Sequence, residues 1–320
     1  MTYLIRFVKN WTLPCAMLLG VLGYFLFAQI SLLVPAKPYL HGLSVFLTPI
    51  LIFLMLFFTF CKVDLPDLKP KRWHVWLLLL QTVACVGVAV YMMYGVPDGE
   101  NRVIWEGALA CLLCPTATAA AVVTGKLGGN AGSLTTYTLE SNLLSAVLIT
   151  VLCPLVHPHV ELPMSLTFLV MLNKVTQLLI LPFVAAWAVR RFLPALHARV
   201  LGLKDIAFYL WGIALALVMA QTTHTVLTSS ASSFLEWKIG LAALLVCGLK
   251  FALGKWIGSF YGERISGGQA LGQKNTIFAI WMAFTYLSPL SAIGPGAYVL
   301  WQNSINSYQL WKRRKQETMG

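Results

Sequence analysis

The chain has 320 residues, of which 58 % are hydrophobic and only 11 % charged. Soluble domains carry about 25 % charged residues, so this chain cannot clothe a water-facing surface; a soluble enzyme, a disordered chain and a small secreted scaffold are excluded. The formal charge of +12 lies in short stretches between apolar runs rather than on one folded patch, which is a membrane-topology signal and not a nucleic-acid one.

Ten apolar segments follow in chain order, at about 11–34, 42–61, 73–94, 104–124, 133–156, 163–189, 206–228, 236–258, 268–288 and 291–311. A span needs about 20 residues, so ten spans and short loops use up the length. The composition predicts an all-α integral membrane protein. The third segment is the clearest; the ninth is interrupted by Gln269, Gln273, Lys274 and Asn275. The first run is too long for a cleaved signal peptide, and no small-residue cleavage site follows it. Seven cysteines, an odd number, lie in or beside apolar runs, and even the Cys111–Cys114 pair at CxxC spacing reads as ordinary buried thiols.

With the N-terminus in the cytoplasm, Arg6, Lys9, Lys62, Lys69, Lys71, Arg72, Lys126, Arg190, Arg191, Arg199, Lys204, Lys255, Arg264 and the run 312–315 fall inside. Only Lys37, Arg102 and Lys238 fall outside. The positive-inside rule then places both termini in the cytoplasm of a cell (inner) membrane. The C-terminal basic run reads as an anchor to the inner lipid surface.

Segments one to five (residues 1–160) start inside and end outside, and segments six to ten (161–320) run the opposite way, giving two inverted five-helix repeats. The fourth member of each half is interrupted, at Cys114-Pro115-Thr116-Ala117-Thr118 and at Gly272-Gln273-Lys274-Asn275-Thr276. Paired broken helices in corresponding positions point to a transporter binding site. An unwound helix leaves backbone groups unpaired where there is no water, and an ion or polar substrate can pair them. For segment four alone, a simple proline kink is the plainer alternative.

Charged residues at depth cost about 2.5–3.5 kcal/mol on insertion scales. Glu140 lies roughly 10 Å inside and shares a helical face with Ser133, Thr136 and Tyr137. Lys274 lies roughly 9 Å inside, so the two are expected to pair. Lys174, beside Asn173 and Gln177, sits mid-membrane and either attracts an anionic substrate or snorkels into a water-filled cavity. Lys250 reads as a snorkelling residue and His224 as an interfacial one. Gln81 is the strongly polar residue of segment three. Gln302, Asn303, Asn306 and Ser307 form a polar run whose last three members share a face, suited to gluing helices or to binding a ligand. The glycine-rich turn 125–130 lacks P-loop spacing, no His/Cys cluster has zinc spacing, and no Ser–His–acid set can be argued from spacing.

At these residues the chain resembles the bile acid:sodium symporter family. Residues 114–124, Cys-Pro-Thr-Ala-Thr-Ala-Ala-Ala-Val-Val-Thr, match a family pattern of Cys-Pro-Gly-Gly-Thr-Ala-Ser-Asn-Val-Val-Thr; Gly272-Gln273-Lys274-Asn275 matches Gly-x-Gln-Asn; Gln81 sits in a family-like third helix. The resemblance covers nearly the whole chain. It implies a panel of segments 1, 2, 6 and 7 and a core of segments 3–5 and 8–10, with helices four and nine crossing at their breaks. It also implies an organic anion as substrate, bound between panel and core, and coupling to two sodium ions.

The departures bear on the coupling ion. The family's Ser-Asn pair is Ala120-Ala121 here, the acid of its ninth helix aligns with Ala270, and a glutamine is replaced by Lys274. Of the side-chain ligands the resemblance implies, Gln81, Thr138 and Asn275 remain, with Thr116, Thr118 and Gln273 in the interrupted motifs. Hard cations need several oxygen ligands, so sodium is disfavoured, and proton coupling or uncoupled uniport or exchange is expected instead, with Lys274 replacing a sodium ion and Glu140 as its counter-charge. The expectation is a secondary transporter of a bile-acid-like or smaller carboxylate working by alternating access, with no cofactor and no nucleic-acid partner. Its rivals are a sodium symporter with altered sites and a non-transporting membrane sensor. An enzyme is not expected, for want of a catalytic set. Substrate identity and oligomeric state are not legible.

Overall fold

The computed structural model describes residues 12–29, 37–62, 69–117, 119–157, 166, 169, 172–173, 176–203, 206–228 and 232–319. The chain forms α1 (Thr12–Gln29), α2 (Lys37–Cys61), α3 (Arg72–Tyr94), α4 (Glu100–Leu113), α5 (Ala119–Lys126) and α6 (Ala131–Val156). A π-helical turn at Thr176–Ile180 leads into α7 (Leu181–Phe192), followed by α8 (Pro194–Gly202), α9 (Ile206–Thr228) and α10 (Ser233–Ser259). Then come α11 (Arg264–Gly272), α12 (Thr276–Tyr286), a 3-10 turn at Pro289–Ala292 and α13 (Ile293–Met319).

Most apolar segments became helices close to their expected limits, the seventh coinciding with α9. Much of the sixth segment lies outside the described residues. Helix α8 was not expected. Pro194 opens it with the fixed φ suited to a first turn, and His197 Nε2 donates to the Cys61 carbonyl at 2.8 Å, capping the end of α2. Helix α13 continues through the basic run at 312–315 because polar residues halt a membrane span, not a helix.

Helices α3, α6 and α10 are long and apolar enough to cross a membrane. On α10 the outer face is a ladder of Phe234, Trp237, Leu241, Leu245, Leu249 and Trp256, continued by Phe260 just past its end, all exposed. Its opposite face, Ile239, Ala243, Cys247, Lys250, Gly254 and Gly258, is buried. Trp237 and Trp256 are about 28 Å apart at 1.5 Å per residue, close to the thickness of a hydrocarbon core. Aromatic rings at both ends of such a ladder are the pattern of a lipid-facing helix. Helix α3 repeats it with Trp76, Leu79, Val83, Val90 and Tyr94.

One hydrophobic core runs from α1 and α2 through α4, α6, α9 and α12 to α13, and α9 and α2 also touch α12. Helix α9 lies against α1 and α2, and α2 against α7; α10 packs on α11, α4 and α13, while α3 packs on α4 and α6. The α10–α11 contact is made by glycines. A Cβ at Gly254 would lie 2.3 Å from the Gly267 carbonyl oxygen, and one at Gly267 would lie 2.4 Å from that of Gly254. Gly254 and Gly258 form a GxxxG pair, the small-residue spacing that lets two helix backbones touch.

Candidate functional site

Proline makes the first break. It disfavours helical geometry in the residue before it, and Cys114 is extended at φ −58°, ψ 128°, ending α4. The second break follows Gly272: Gln273 is extended, and Asn275 caps the new helix α12 by accepting the Phe278 N–H at 3.3 Å. The two extended stretches run antiparallel and bridge at Thr116 and Lys274. Ala117 N–H donates to the Gln273 carbonyl at 3.0 Å, and Asn275 N–H donates to the Pro115 carbonyl at 2.9 Å. Each break therefore supplies backbone partners to the other, as a medium without water demands.

Side chains from the surrounding helices pair what remains. Thr116 Oγ1 donates to the Ala270 carbonyl at 2.7 Å, and its N–H donates to Ser141 Oγ at 3.1 Å. Gln302 Oε1 accepts the Lys274 N–H at 2.9 Å, and its Nε2 donates to the Lys274 carbonyl at 3.3 Å. Tyr298 donates to the Gly272 carbonyl at 2.8 Å.

Two lysines end here. Lys274 is 1 % exposed, and its Nζ donates to Gln81 Oε1 at 3.0 Å. Lys250 is 4 % exposed and donates to the carbonyls of Cys111 and Leu112 at 2.9 and 3.2 Å. It does not snorkel, because its stem points inward from the buried face of α10. Among the described residues no carboxylate pairs with either ammonium.

The expected Glu140–Lys274 pair is corrected. Glu140 Oε2 lies 2.9 Å from His74 Nδ1, at ion-pair distance but without hydrogen-bond alignment, while Lys274 turns to Gln81. Similar depth was a poor guide because the polar stripe of α6 faces the start of α3. His74 Nε2 lies 3.0 Å from Ser133 Oγ, and Trp73 stacks on Tyr137 at 5.8 Å. Ser133, His74 and Glu140 stand in the order of a nucleophile, base and acid, but His74 Nδ1 accepts the Lys71 N–H at 3.4 Å and is not hydrogen-bonded to Glu140. Both rings pack against the imidazole, though, and Ser133 and His74 are buried, so the cluster staples α3 to α6 rather than admitting a substrate.

The other expected site residues divide. Gln273 contributes its carbonyl to the bridge, and its Oε1 has no partner among the described residues. Thr138 donates within its own helix to the Leu134 carbonyl at 2.9 Å, because a helical threonine reaches back one turn. Asn303 is half-buried, and no described residue pairs its amide nitrogen. Asn173 is exposed and accepts from Gln177 at 3.1 Å. Thr118 and Lys174 lie outside the described residues.

Asn142 escaped the sequence reading. It is wholly buried on the α6 face that carries Ser141 and Ser145, and neither amide atom is paired among the described residues. Its spacing from Thr138 and Ser145 was the available signal.

Ties at both ends hold the frame. At one end Glu106, 1 % exposed, approaches His157 Nδ1 at 3.0 Å and accepts the Ser288 N–H at 2.9 Å. The Glu106 hydrogen bond raises the His157 pKa above its ordinary value. A cavity of about 390 Å³ beside them is lined by Asp98, Arg102 and Val103 as well. Arg102 pairs with Asp98 at 3.1 Å and donates to the Val156 carbonyl.

At the other end Glu263 accepts from Lys71 Nζ and Ser266 Oγ, each at 2.7 Å, and from Asn130 Nδ2 at 3.4 Å. Burial pushes this carboxyl up, but the three hydrogen bonds outweigh burial and hold its pKa below the ordinary 4.5. A depressed folded pKa stabilises fully above the unfolded value and loses that contribution as pH falls through the folded one. Thermal unfolding followed from pH 7 to 3 is therefore expected to show an acid-side loss below about pH 4.5 that Lys71→Met reduces.

No family model matches the chain, and no match is found among curated proteins.

Proposed function

We propose that the chain is a secondary transporter of an organic anion, working by alternating access on a ten-span fold of two inverted repeats similar to that of the bile acid:sodium symporters. The observation that carries this reading is the crossing itself: two broken helices meet on buried lysines with no carboxylate partner among the described residues. Broken helices at membrane depth are where carriers hold substrates and ions. Helices α1, α2, α7 and α9 pack more on one another than on the helices around α10, which supports a panel working against a core.

Lys274 supplies a fixed positive charge where a sodium symporter would load an ion. With Glu140 committed to His74, the counter-charge is the substrate's own carboxylate. The unpaired groups of Asn142, Gln273 and Asn275 are amides able to serve it or its hydration water. Both termini face the cytoplasm of the inner membrane in this reading.

The test is substrate counterflow into liposomes together with thermal unfolding in sodium against choline. A ligand at a hundredfold excess over its Kd raises stability by about 2.7 kcal/mol. No sodium-specific rise is expected. Such a rise would restore ordinary sodium symport, and failure of counterflow across a panel of carboxylates would favour a sensor on the same fold.

A further inference from the structure

Helix α4 ends so as to leave two particular carbonyls open. In an unbroken helix the Cys111 carbonyl would take the N–H of residue 115 and the Leu112 carbonyl that of residue 116. Residue 115 is proline and has no N–H. The Thr116 N–H is turned to Ser141 Oγ at 3.1 Å. These are the same two carbonyls that receive Lys250 Nζ, at 2.9 and 3.2 Å.

The second break meets the same need with neutral donors. The Ala270 carbonyl takes the Thr116 hydroxyl at 2.7 Å and the Gly272 carbonyl takes that of Tyr298 at 2.8 Å. A hydroxyl has one proton to give and would serve only one of the two α4 carbonyls, whereas an ammonium has three and serves both, at the cost of burying a charge. What an ammonium adds is a unit of positive charge against the roughly half-unit of negative charge at a helix C-terminus. Lys250 is held in the middle of α10 with Cys247 and Phe251 buried beside it, so its head group cannot reach water.

We propose that the C-terminal carbonyls of α4 form a cation site for a primary ammonium, and that Lys250 is its resident, covalently tethered occupant. Being tethered through the Lys250 stem, the cation cannot diffuse away to solution as a free ion would. The proposal needs only the fold and stands whether or not the chain transports an anion.

The test replaces the tethered cation with a free one. Lys250→Ala removes three methylenes and the ammonium, and n-propylammonium is the missing piece. The purified variant is melted in n-propylammonium, in choline and in 1-propanol. It is expected to melt well below wild type in choline. Saturating n-propylammonium should recover more than half of the lost Tm, while 1-propanol should not, and wild type should ignore all three. Equal recovery by 1-propanol, or none by n-propylammonium, overturns the proposal. Should Lys250→Ala fail to fold, Lys250→Met and Lys250→Arg decide. Arginine keeps the charge and is expected to melt closer to wild type than methionine; methionine equal to or above arginine overturns the proposal.

Discussion

Alanine at Gly267 is expected to lower stability by about 3 kcal/mol or leave the protein unfolded, the upper range for forcing an extra methyl into a packed interior. The added Cβ would lie 2.4 Å from the Gly254 carbonyl oxygen and 3.0 Å from the Gly258 Cα, both backbone atoms that no rotamer change can move. Relief requires α10 and α11 to separate. That would pull α11, which carries the second break at its end, away from the crossing. Gly248 on α10 is the control: a Cβ there meets nothing within 4 Å, and alanine should add up to about 1 kcal/mol through helix propensity. Thermal unfolding of the two variants in detergent checks this. Gly267→Ala within about 1 kcal/mol of wild type would mean that the two backbones do not touch.

Lys274→Met, combined with Gln81→Leu, is expected to raise stability while removing transport. Exchanging buried charged groups for apolar ones of similar volume is often stabilising, by about 1–4 kcal/mol. The single Lys274→Met variant should gain less, because it leaves Gln81 Oε1 without its donor at 3.0 Å, a loss of about 1–3 kcal/mol. Anion counterflow should fall on the order of a hundredfold in both, since Lys274 is proposed to pair with the substrate carboxylate and truncating one member of a buried charge pair costs about 2–5 kcal/mol. A double variant that melts below wild type, or one that still exchanges the anion, counts against Lys274 as the built-in charge.

The helices were legible because apolar length is a one-dimensional signal, and Trp73–Tyr94 matches α3 to within a residue. The breaks were legible too: Pro115 disfavours helical geometry at Cys114, and Asn275 is a strong cap after Gly272. Depth could be counted along each segment, but azimuth could not. Glu140 and Lys274 lie at similar counts and turn to different helices, Glu140 to His74 and Lys274 to Gln81. Lys250 was misread for the same reason. Nothing local to residue 250 records that Pro115 and Thr116 strip two carbonyls of their partners on another helix. The α10–α11 contact was readable from the Gly254–Gly258 spacing and was passed over.

The antiparallel bridge between the breaks is built from main chain to main chain, with Ala117 bonded to Gln273 and Asn275 to Pro115. Its bonds do not depend on which side chains stand at 116, 273 or 274, provided each residue tolerates an extended backbone. The crossing can thus keep its shape while its chemical contents change, and a hydroxyl, an amide or an ammonium can be exchanged there by single substitutions without refolding the frame. The residues that set the chemistry at the crossing are therefore separable from the bonds that hold it together, so a carrier of the proposed kind would change its selectivity in small evolutionary steps.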